Sequence, residues 1–83
     1  MEVNQMRSSI EIIAEILRVA KNGAKKTRIM CSCGFTYRFT EKYLALLLEN
    51  GLLRIGNSYH TTEKGIQFLK NYQTMELLLE TRN

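Results

Sequence analysis

The stretch that decides the fold is Thr36–Asn50, which reads TYRFTEKYLALLLEN. Thr36 is a favourable N-cap residue, and Asn50-Gly51 is a C-terminal signal because glycine readily adopts the left-handed conformation. Helical spacing predicts one buried face, formed by Thr40, Tyr43, Leu44, Leu47 and Leu48. The opposite side of the first two turns carries Tyr37, Arg38, Glu41 and Lys42. The stretch therefore predicts a helix with an apolar back and a basic, hydrogen-bonding front.

Two helices are predicted before this stretch. Ser8 and Glu11 have the spacing of a capping box, so the first helix is expected to run from Ser8 to about Asn22. Its wide apolar band predicts burial on more than one side. A short second helix is expected at Lys25–Ser32, followed by the turn Cys33-Gly34-Phe35. Residues 36–50 then form the third helix, directly after a tight turn.

A β-hairpin and a long helix are predicted after the third helix. Leu52–Ile55 and Ser58–Thr61 flank a Gly-Asn turn and have the composition of two short antiparallel strands. Leu53 and Ile55 are expected to lie on one side of the first strand, with Tyr59 as their partner on the second. The final helix is expected to begin at Thr61 or Thr62 and to run to the C-terminus. Gly65 near its start predicts close packing against the hairpin or the first helix.

An apolar seam is predicted along the final helix. Phe68, Tyr72, Met75 and Leu79 are spaced by four, three and four residues, which is the a/d pattern of a coiled coil. A domain of this size is too small to cover apolar residues as far as Leu79, so the second half of the helix is expected to pack on another copy of the chain. The alternative is a helix that folds back on its own domain.

The net charge of +4 is concentrated in one part of the chain. Residues 18–42 contain seven Lys and Arg residues against one carboxylate, Glu41, whereas residues 1–17 carry a net charge of −2 and residues 43–83 are neutral. Clustered positive charge is typical of proteins that bind a polyanion, although a basic surface kept for solubility is the alternative. Basic residues in the first turn of the second helix oppose the helix dipole, which indicates a separate role such as phosphate contact.

Three segments carry a family resemblance: RSSIEIIAEILRVAKNGAKKTRIM (7–30), YLALLLENGLL (43–53) and YHTTEKGIQFLKNY (59–72). In this order they resemble the small archaeal winged-helix proteins of the helix-turn-helix class, some of which bind DNA and dimerise through a C-terminal antiparallel coiled coil. The most specific parts are LLENGLL and TTEKG. The resemblance implies an α+β fold that is mainly α: a winged helix-turn-helix with a two-stranded β-hairpin wing and a long C-terminal dimerisation helix. Within a single domain of residues 1–83, residues 7–61 would form the helix-turn-helix and wing, and residues 62–83 the dimerisation helix.

The resemblance and the charge pattern together predict the contact residues. Phosphates are expected to be bound by Lys25, Lys26, Thr27, Arg28 and Thr36. Base edges or groove walls are expected to be contacted by Tyr37, Arg38 and Lys42. The wing tip is formed by Arg54, Asn57 and Ser58, and the dimer interface by Phe68, Tyr72, Met75 and Leu79.

Two positions depart from the family pattern. The position of Phe39 is usually polar and faces DNA in the family, and the position of Thr40 is usually a core leucine. Phe39 either takes over core packing through a small rotation of the helix or contacts thymine methyl groups. Core packing is the favoured interpretation, because large apolar residues are seldom left exposed.

Cys31 and Cys33 form the only cluster of reactive side chains, and the family turn usually lacks such a pair. Since His60 is the only histidine, the chain cannot offer three or four ligands there, and no metal site is expected. Nearby basic residues would favour a redox-active thiolate, whose oxidation would distort the turn before the third helix. The alternative is one half-buried and one exposed structural cysteine. No cofactor is expected. The sequence has neither a nucleophile paired with a base nor a pair of catalytic carboxylates, so it does not indicate an enzyme.

The sequence thus predicts a homodimer that binds double-stranded DNA, either at specific sites or generally, as a transcriptional regulator or a nucleoid protein. The alternative is a winged-helix module for protein–protein interaction that does not bind DNA. No apolar stretch has the length of a transmembrane span, and the N-terminus lacks the layout of a signal peptide. No membrane partner is therefore expected. The expected location is the cytoplasm, in association with the nucleoid.

Overall fold

The computed structural model describes residues 8–81, which form helices and one β-hairpin. In chain order the elements are α1 (Ser9–Val19), α2 (Lys26–Cys33), α3 (Tyr37–Glu49), β1 (Leu53–Ile55), β2 (Tyr59–Thr61) and α4 (Glu63–Thr81). This order, with its antiparallel hairpin between the third and fourth helices, confirms the predicted winged helix-turn-helix class. The predictions for the N-terminal segment 1–7 and for the last two residues of the C-terminal helix lie outside the described residues.

The start of α1 is fixed by the predicted capping box. The backbone N–H of Ser8 donates to Oε1 of Glu11 at 3.1 Å, and the backbone N–H of Glu11 donates to Oγ of Ser8 at 3.3 Å. The helix ends at Val19, three residues before the predicted end, because the chain turns at Gly23, where φ is 98°. A side chain at position 23 would also collide with the imidazole of His60, so this turn requires glycine.

The turn between α2 and α3 has the predicted chemistry. Gly34 ends α2 in the left-handed conformation, with φ 72° and ψ 33°, and its N–H donates to the carbonyl of Met30. Thr36 then caps α3, since its Oγ1 accepts from the N–H of Phe39 at 3.2 Å. Two helices joined by this tight turn form the helix-turn-helix, and both helix ends are determined by local signals.

The core lies where α1, α2 and α3 meet the hairpin and the first half of α4. The predicted face of α3 is buried at Thr40, Leu44 and Leu47, whereas Tyr43 and Leu48 are half-buried. Thr40 is buried without leaving an unsatisfied polar group, because its hydroxyl donates to the carbonyl of Thr36 at 2.8 Å. The largest side chains with almost no exposure include Ile16, Leu17, Ile29, Leu44 and Leu47.

The hairpin pairs Leu53 with Thr61 and Ile55 with Tyr59, and a third short segment joins it. Ala24 exchanges both backbone hydrogen bonds with Tyr59, at 3.0 and 2.8 Å, and so extends the sheet by one residue beyond β2. As predicted, Tyr59 lies opposite Ile55, whose side chain is 54% exposed. The strand continues past the edge of the core, so that Leu53 is buried and Ile55 lies at the solvated end of the wing.

The long helix α4 begins against the hairpin and continues along α1. The hydroxyl of Thr62 accepts from the N–H of Gly65, and a Cβ at Gly65 would collide with the carbonyl of Leu52 and the methyl group of Thr61. The prediction that Gly65 permits close packing against the hairpin is therefore confirmed. Within residues 8–81, no helix has both the length and the hydropathy needed to cross a bilayer.

Candidate nucleic-acid interface

Lys25 joins the start of α2 to the tip of the wing. Its Nζ donates to the backbone carbonyl of Asn57 at 2.9 Å, although the two residues are 32 positions apart. Lys25 is the N-cap residue of α2 and provides no side-chain cap for that helix. Two groups of predicted DNA contacts, the first turn of α2 and the wing tip, therefore lie next to each other.

Lys26 joins α2 to α3 in a similar way. Its Nζ lies 3.0 Å from Oε2 of Glu41 and 4.9 Å from the centre of the Tyr37 ring. The hydroxyl of Tyr37 donates to the same carboxylate oxygen at 3.2 Å. The hydrogen bond and charge of Glu41 raise the pKa of Lys26, and the same pairing with Lys26, helped by Tyr37, lowers the pKa of Glu41. Both groups therefore stay charged at neutral pH, and part of the charge of Lys26 is neutralised within the protein.

A front of exposed side chains runs along α3. Arg38, Lys42, Ala45 and Glu49 are all exposed and recur at helical spacing, so they lie on one side of the helix. Together with the first turn of α2, this side forms what we call the cationic surface: Lys25, Lys26, Arg28, Arg38 and Lys42. Because Lys25 contacts the wing and Lys26 contacts α3, the first turn of α2 lies beside both of the other elements predicted to meet DNA.

The remaining predicted contacts differ in how free their polar groups are. Thr27 is exposed in the first turn of α2. Thr36 is exposed too, but its hydroxyl oxygen is occupied as the cap of α3, which leaves its proton free to be donated. In the wing, Arg54 and Asn57 are exposed, and Ser58 is half-buried, with its carbonyl accepting from the N–H of Gly56 at 3.0 Å.

Phe39 lies in a row of aromatic rings on the flank of α3. Its ring centre is 5.0 Å from that of Phe35 and 5.0 Å from that of Tyr43. The side chain is half-buried against the core, and the hydroxyl of Tyr43 donates to Oγ of Ser9 at 3.2 Å, which ties this flank to the start of α1. Of the two interpretations, the structure therefore supports packing of Phe39 against the protein.

The two cysteines lie in the last turns of α2, and neither forms a disulfide. Cys31 is exposed, whereas Cys33 is buried in the core. Side chains two positions apart on a helix point in different directions, so a disulfide between them is incompatible with an intact α2. Among the described residues, no three His, Cys, Asp or Glu side chains come together as a set that could hold a metal ion.

The four predicted interface residues of α4 fall into two pairs. Tyr72 is buried and Phe68 is half-buried, and both pack against the core of their own chain. Met75 and Leu79 are exposed. They line a groove of about 350 Å³ between the second half of α4 and the start of α1, together with Ile10 and Tyr72. Its rim carries the carboxylates of Glu11, Glu76 and Glu80.

One functional candidate, Glu41, was missed as a site residue by sequence reasoning. The sequence places it on the front of the third helix, and it is the single carboxylate among seven basic residues between positions 18 and 42. This isolation among basic residues is the signal by which the sequence could have identified Glu41 as a site residue. Its pairing with Lys26 depends on how α2 crosses α3, which periodicity does not report.

Known proteins share this fold over most of the chain. Residues 6–80 match the family described as winged helix-turn-helix. The uncharacterized protein MJ0287 of Methanocaldococcus jannaschii is 35% identical over 79 residues, which cover 93% of this chain and 78% of that protein. The crystal structure of Sso10a-2, a DNA-binding protein from Sulfolobus solfataricus, has a TM-score of 0.77 and 29% identity, over 89% of this chain and 83% of that one. The predicted resemblance to small archaeal winged-helix proteins is confirmed, and the chain belongs to the winged helix-turn-helix family.

Proposed function

We propose that the protein binds double-stranded DNA through the cationic surface, as a homodimeric transcriptional regulator or nucleoid protein that resides with the chromosome in the cytoplasm. The observation that supports this proposal is the pair of contacts made by Lys25 and Lys26, which join the start of α2 to the wing tip and to α3. Family membership and the similarity to the DNA-binding protein Sso10a-2 support it.

Each part of the surface has a role suited to its chemistry. The first turn of α2 contacts phosphates through Lys25, Thr27 and Arg28, because ammonium, hydroxyl and guanidinium groups all donate to phosphate oxygens. The proton of the Thr36 hydroxyl makes the same kind of contact. The front of α3 enters the major groove, where Arg38 and Lys42 can donate to guanine O6 and N7 and where Tyr37 lines the groove wall. The wing contacts the neighbouring backbone through Arg54, Asn57 and Ser58.

Salt dependence of binding tests the location of the interface. Each phosphate contact contributes about 0.9 to the slope of log K against log salt. We expect the double variant Lys25→Gln/Arg28→Gln to lower this slope by about 2 on a mixed-sequence duplex, measured by fluorescence anisotropy. The matched control, Lys64→Gln/Lys70→Gln, removes the same charge from α4 and should leave the slope unchanged. Equal losses in both variants would show that only net charge matters, and absence of binding by the unaltered protein at low salt would refute the proposed function.

The homodimer is proposed through the second half of α4. Met75 and Leu79 are exposed in the single chain and are continuous with the apolar groove beside Ile10, and such a surface is typical of an interface. Tyr72→Glu is unsuited to a test, because Tyr72 is buried in its own chain. We expect light scattering to give twice the 9.6 kDa mass of one chain, and Met75→Glu and Leu79→Glu to give a folded monomer. Gln73→Glu, on the same helix, is the control, and monomeric behaviour of the unaltered chain contradicts the dimer.

The same exposed apolar residues favour a second function, a module that docks on a different protein. This function requires no contact between the cationic surface and DNA. A gel shift with mixed genomic DNA separates the two, since a protein-docking module without DNA binding leaves the DNA unshifted even at low salt.

A further inference from the structure

Glu41 is a carboxylate placed where a DNA-binding surface should have none. It lies on α3 between Arg38 and Lys42, and it repels the phosphates that the neighbouring groups attract. Its ion pair with Lys26 is solvated, since the two side chains are 50% and 27% exposed, and such pairs contribute little to the stability of a fold. Stability therefore does not account for a negative charge at this position.

The geometry of Glu41 is that of a restrained hydrogen-bond acceptor. Its Oε2 is held by two donors from different elements, Nζ of Lys26 on α2 and the hydroxyl of Tyr37 on α3. Lys26 is itself held over the Tyr37 ring. Within the described residues, Oε1 of Glu41 has no hydrogen-bond partner. A carboxylate with one oxygen anchored and the other open can accept from a ligand without first losing the freedom of a mobile side chain.

The hydrogen-bond donors in the major groove indicate which base Glu41 can bind. An ionised carboxylate only accepts hydrogen bonds, and in the major groove only cytosine and adenine present amino groups. Adenine places its N7 acceptor beside the amino group, which repels the carboxylate, whereas cytosine has no acceptor there. Guanine and thymine present acceptors at O6, N7 and O4 and are disfavoured outright.

We propose that Glu41 is a specificity-determining residue that accepts a hydrogen bond from the amino group of a cytosine in the major groove, and that Lys26 and Tyr37 position it. This inference rests on the proposed DNA-binding function and adds to it one base that the protein distinguishes. The proposal also explains why a carboxylate lies among the basic residues of the cationic surface. Glu41 lowers the affinity for every sequence through phosphate repulsion, and regains affinity only where a cytosine lies opposite.

The test is selection of bound duplexes from a random-sequence pool, followed by affinity measurements on duplexes that differ at the selected position. We expect the unaltered protein to prefer cytosine at one position of each half-site, with roughly 5- to 150-fold weaker binding to the other bases. Glu41→Ala should remove this preference while binding to mixed sequence becomes tighter. Glu41→Gln should change the preference to adenine, because an amide both donates and accepts and so matches N6 and N7.

Two further variants distinguish recognition of the cytosine from a general electrostatic effect of Glu41. Glu49→Gln removes the same charge from the exposed side of α3 about two turns away and should leave the cytosine preference intact. Tyr37→Phe keeps the ring beneath Lys26 but removes one donor to Oε2, so the preference should weaken without disappearing. Melting curves verify that each variant is folded.

The outcomes distinguish this inference from the proposed function. If Glu41→Ala tightens binding to all sequences equally and leaves the selected sequence unchanged, Glu41 acts only as a charge and the inference is wrong. If the unaltered protein binds DNA but selects no base at any position, the inference also fails, while the proposed function stands. If no variant binds DNA at low salt, both fail together.

Discussion

The two halves of α4 have similar side chains but differ in burial. In the first half, Leu69 is 4% exposed and Tyr72 9%, whereas in the second half Met75 is 50% exposed and Leu79 60%. The a/d spacing continues through both halves, so periodicity does not distinguish them. The difference lies in what packs against each half. Helix α1 covers the first half of α4, but α1 begins at Ser9, and beside the second half of α4 only the shallow groove remains. A repeating apolar pattern therefore shows which side of a helix can be covered, but not how far along the helix its own chain covers it.

The largest expected effect is a contrast between two leucines, one in each half of α4. Leu69→Ala should lower the free energy of unfolding by about 2–5 kcal/mol at any protein concentration, because it opens a cavity in the core. Leu79→Ala should act only through the proposed dimer, so its effect should depend on protein concentration. Urea denaturation at two concentrations measures both. A concentration-independent loss of similar size for Leu79→Ala would show that the second half is also part of the single-chain core.

A smaller effect is expected at the start of α4. Gly65→Ala favours the helix by about 1 kcal/mol in isolation, but the new methyl group would collide with the Leu52 carbonyl, which is backbone and cannot move cheaply. We expect a net loss of about 1–3 kcal/mol in unfolding free energy, measured by chemical denaturation. Asn71→Ala, an exposed position on the same helix, is the control and should be neutral or slightly stabilising. A stabilised Gly65→Ala protein would mean that the first half of α4 has more room than the structure shows.

The smallest expected effect is a pH dependence at Tyr72, where the buried half of α4 ends. Burial raises the pKa of Tyr72 above its ordinary value of 10.0, and the nearby carboxylates of Glu76 and Glu11 raise it further. The folded protein thus holds this proton more tightly than the unfolded chain. The resulting stabilisation is complete below pH 10.0 and is lost as the pH rises through the raised pKa.

The comparison of Tyr72→Phe with the unaltered protein isolates this contribution. The free energy of unfolding of the unaltered protein should fall more steeply above about pH 10 than that of Tyr72→Phe, which cannot ionise at this position. Tyr37→Phe, at an exposed position, controls for the loss of a phenol in general. If the free energy of unfolding has the same pH dependence in all three proteins, Tyr72 is exposed to solvent, and the buried half of α4 does not extend to Tyr72.

Features that depend on neighbours in the chain were predictable from the sequence. The capping box at Ser8 and Glu11, the Thr36 cap and the left-handed Gly34 all appear where the sequence places them. Each of these signals involves groups within four residues of one another, so the sequence contains all of the relevant geometry. The position of the helix-turn-helix follows from them.

Features that depend on how elements cross were not predictable. The strand pairing of Ala24 involves one residue and leaves no alternation to detect. The exposure of Ile55 depends on how far the wing reaches beyond the core. The pairing of Lys26 with Glu41 joins positions 15 residues apart, and many basic residues were available as partners. In each case the chemistry was present in the sequence, whereas the distance was set by packing.

The contact between Lys25 and the carbonyl of Asn57 has a consequence for how the wing is held. An ammonium group has three donors, so this contact leaves two for other acceptors. In the proposed complex, a phosphate oxygen can join Asn57 on the same ammonium without displacing it. The angle between the wing and α2 is then set during folding, and the entropic cost of arranging a flexible hairpin does not weaken association. The spacing between groove and backbone contacts is in this way preorganised in the free protein.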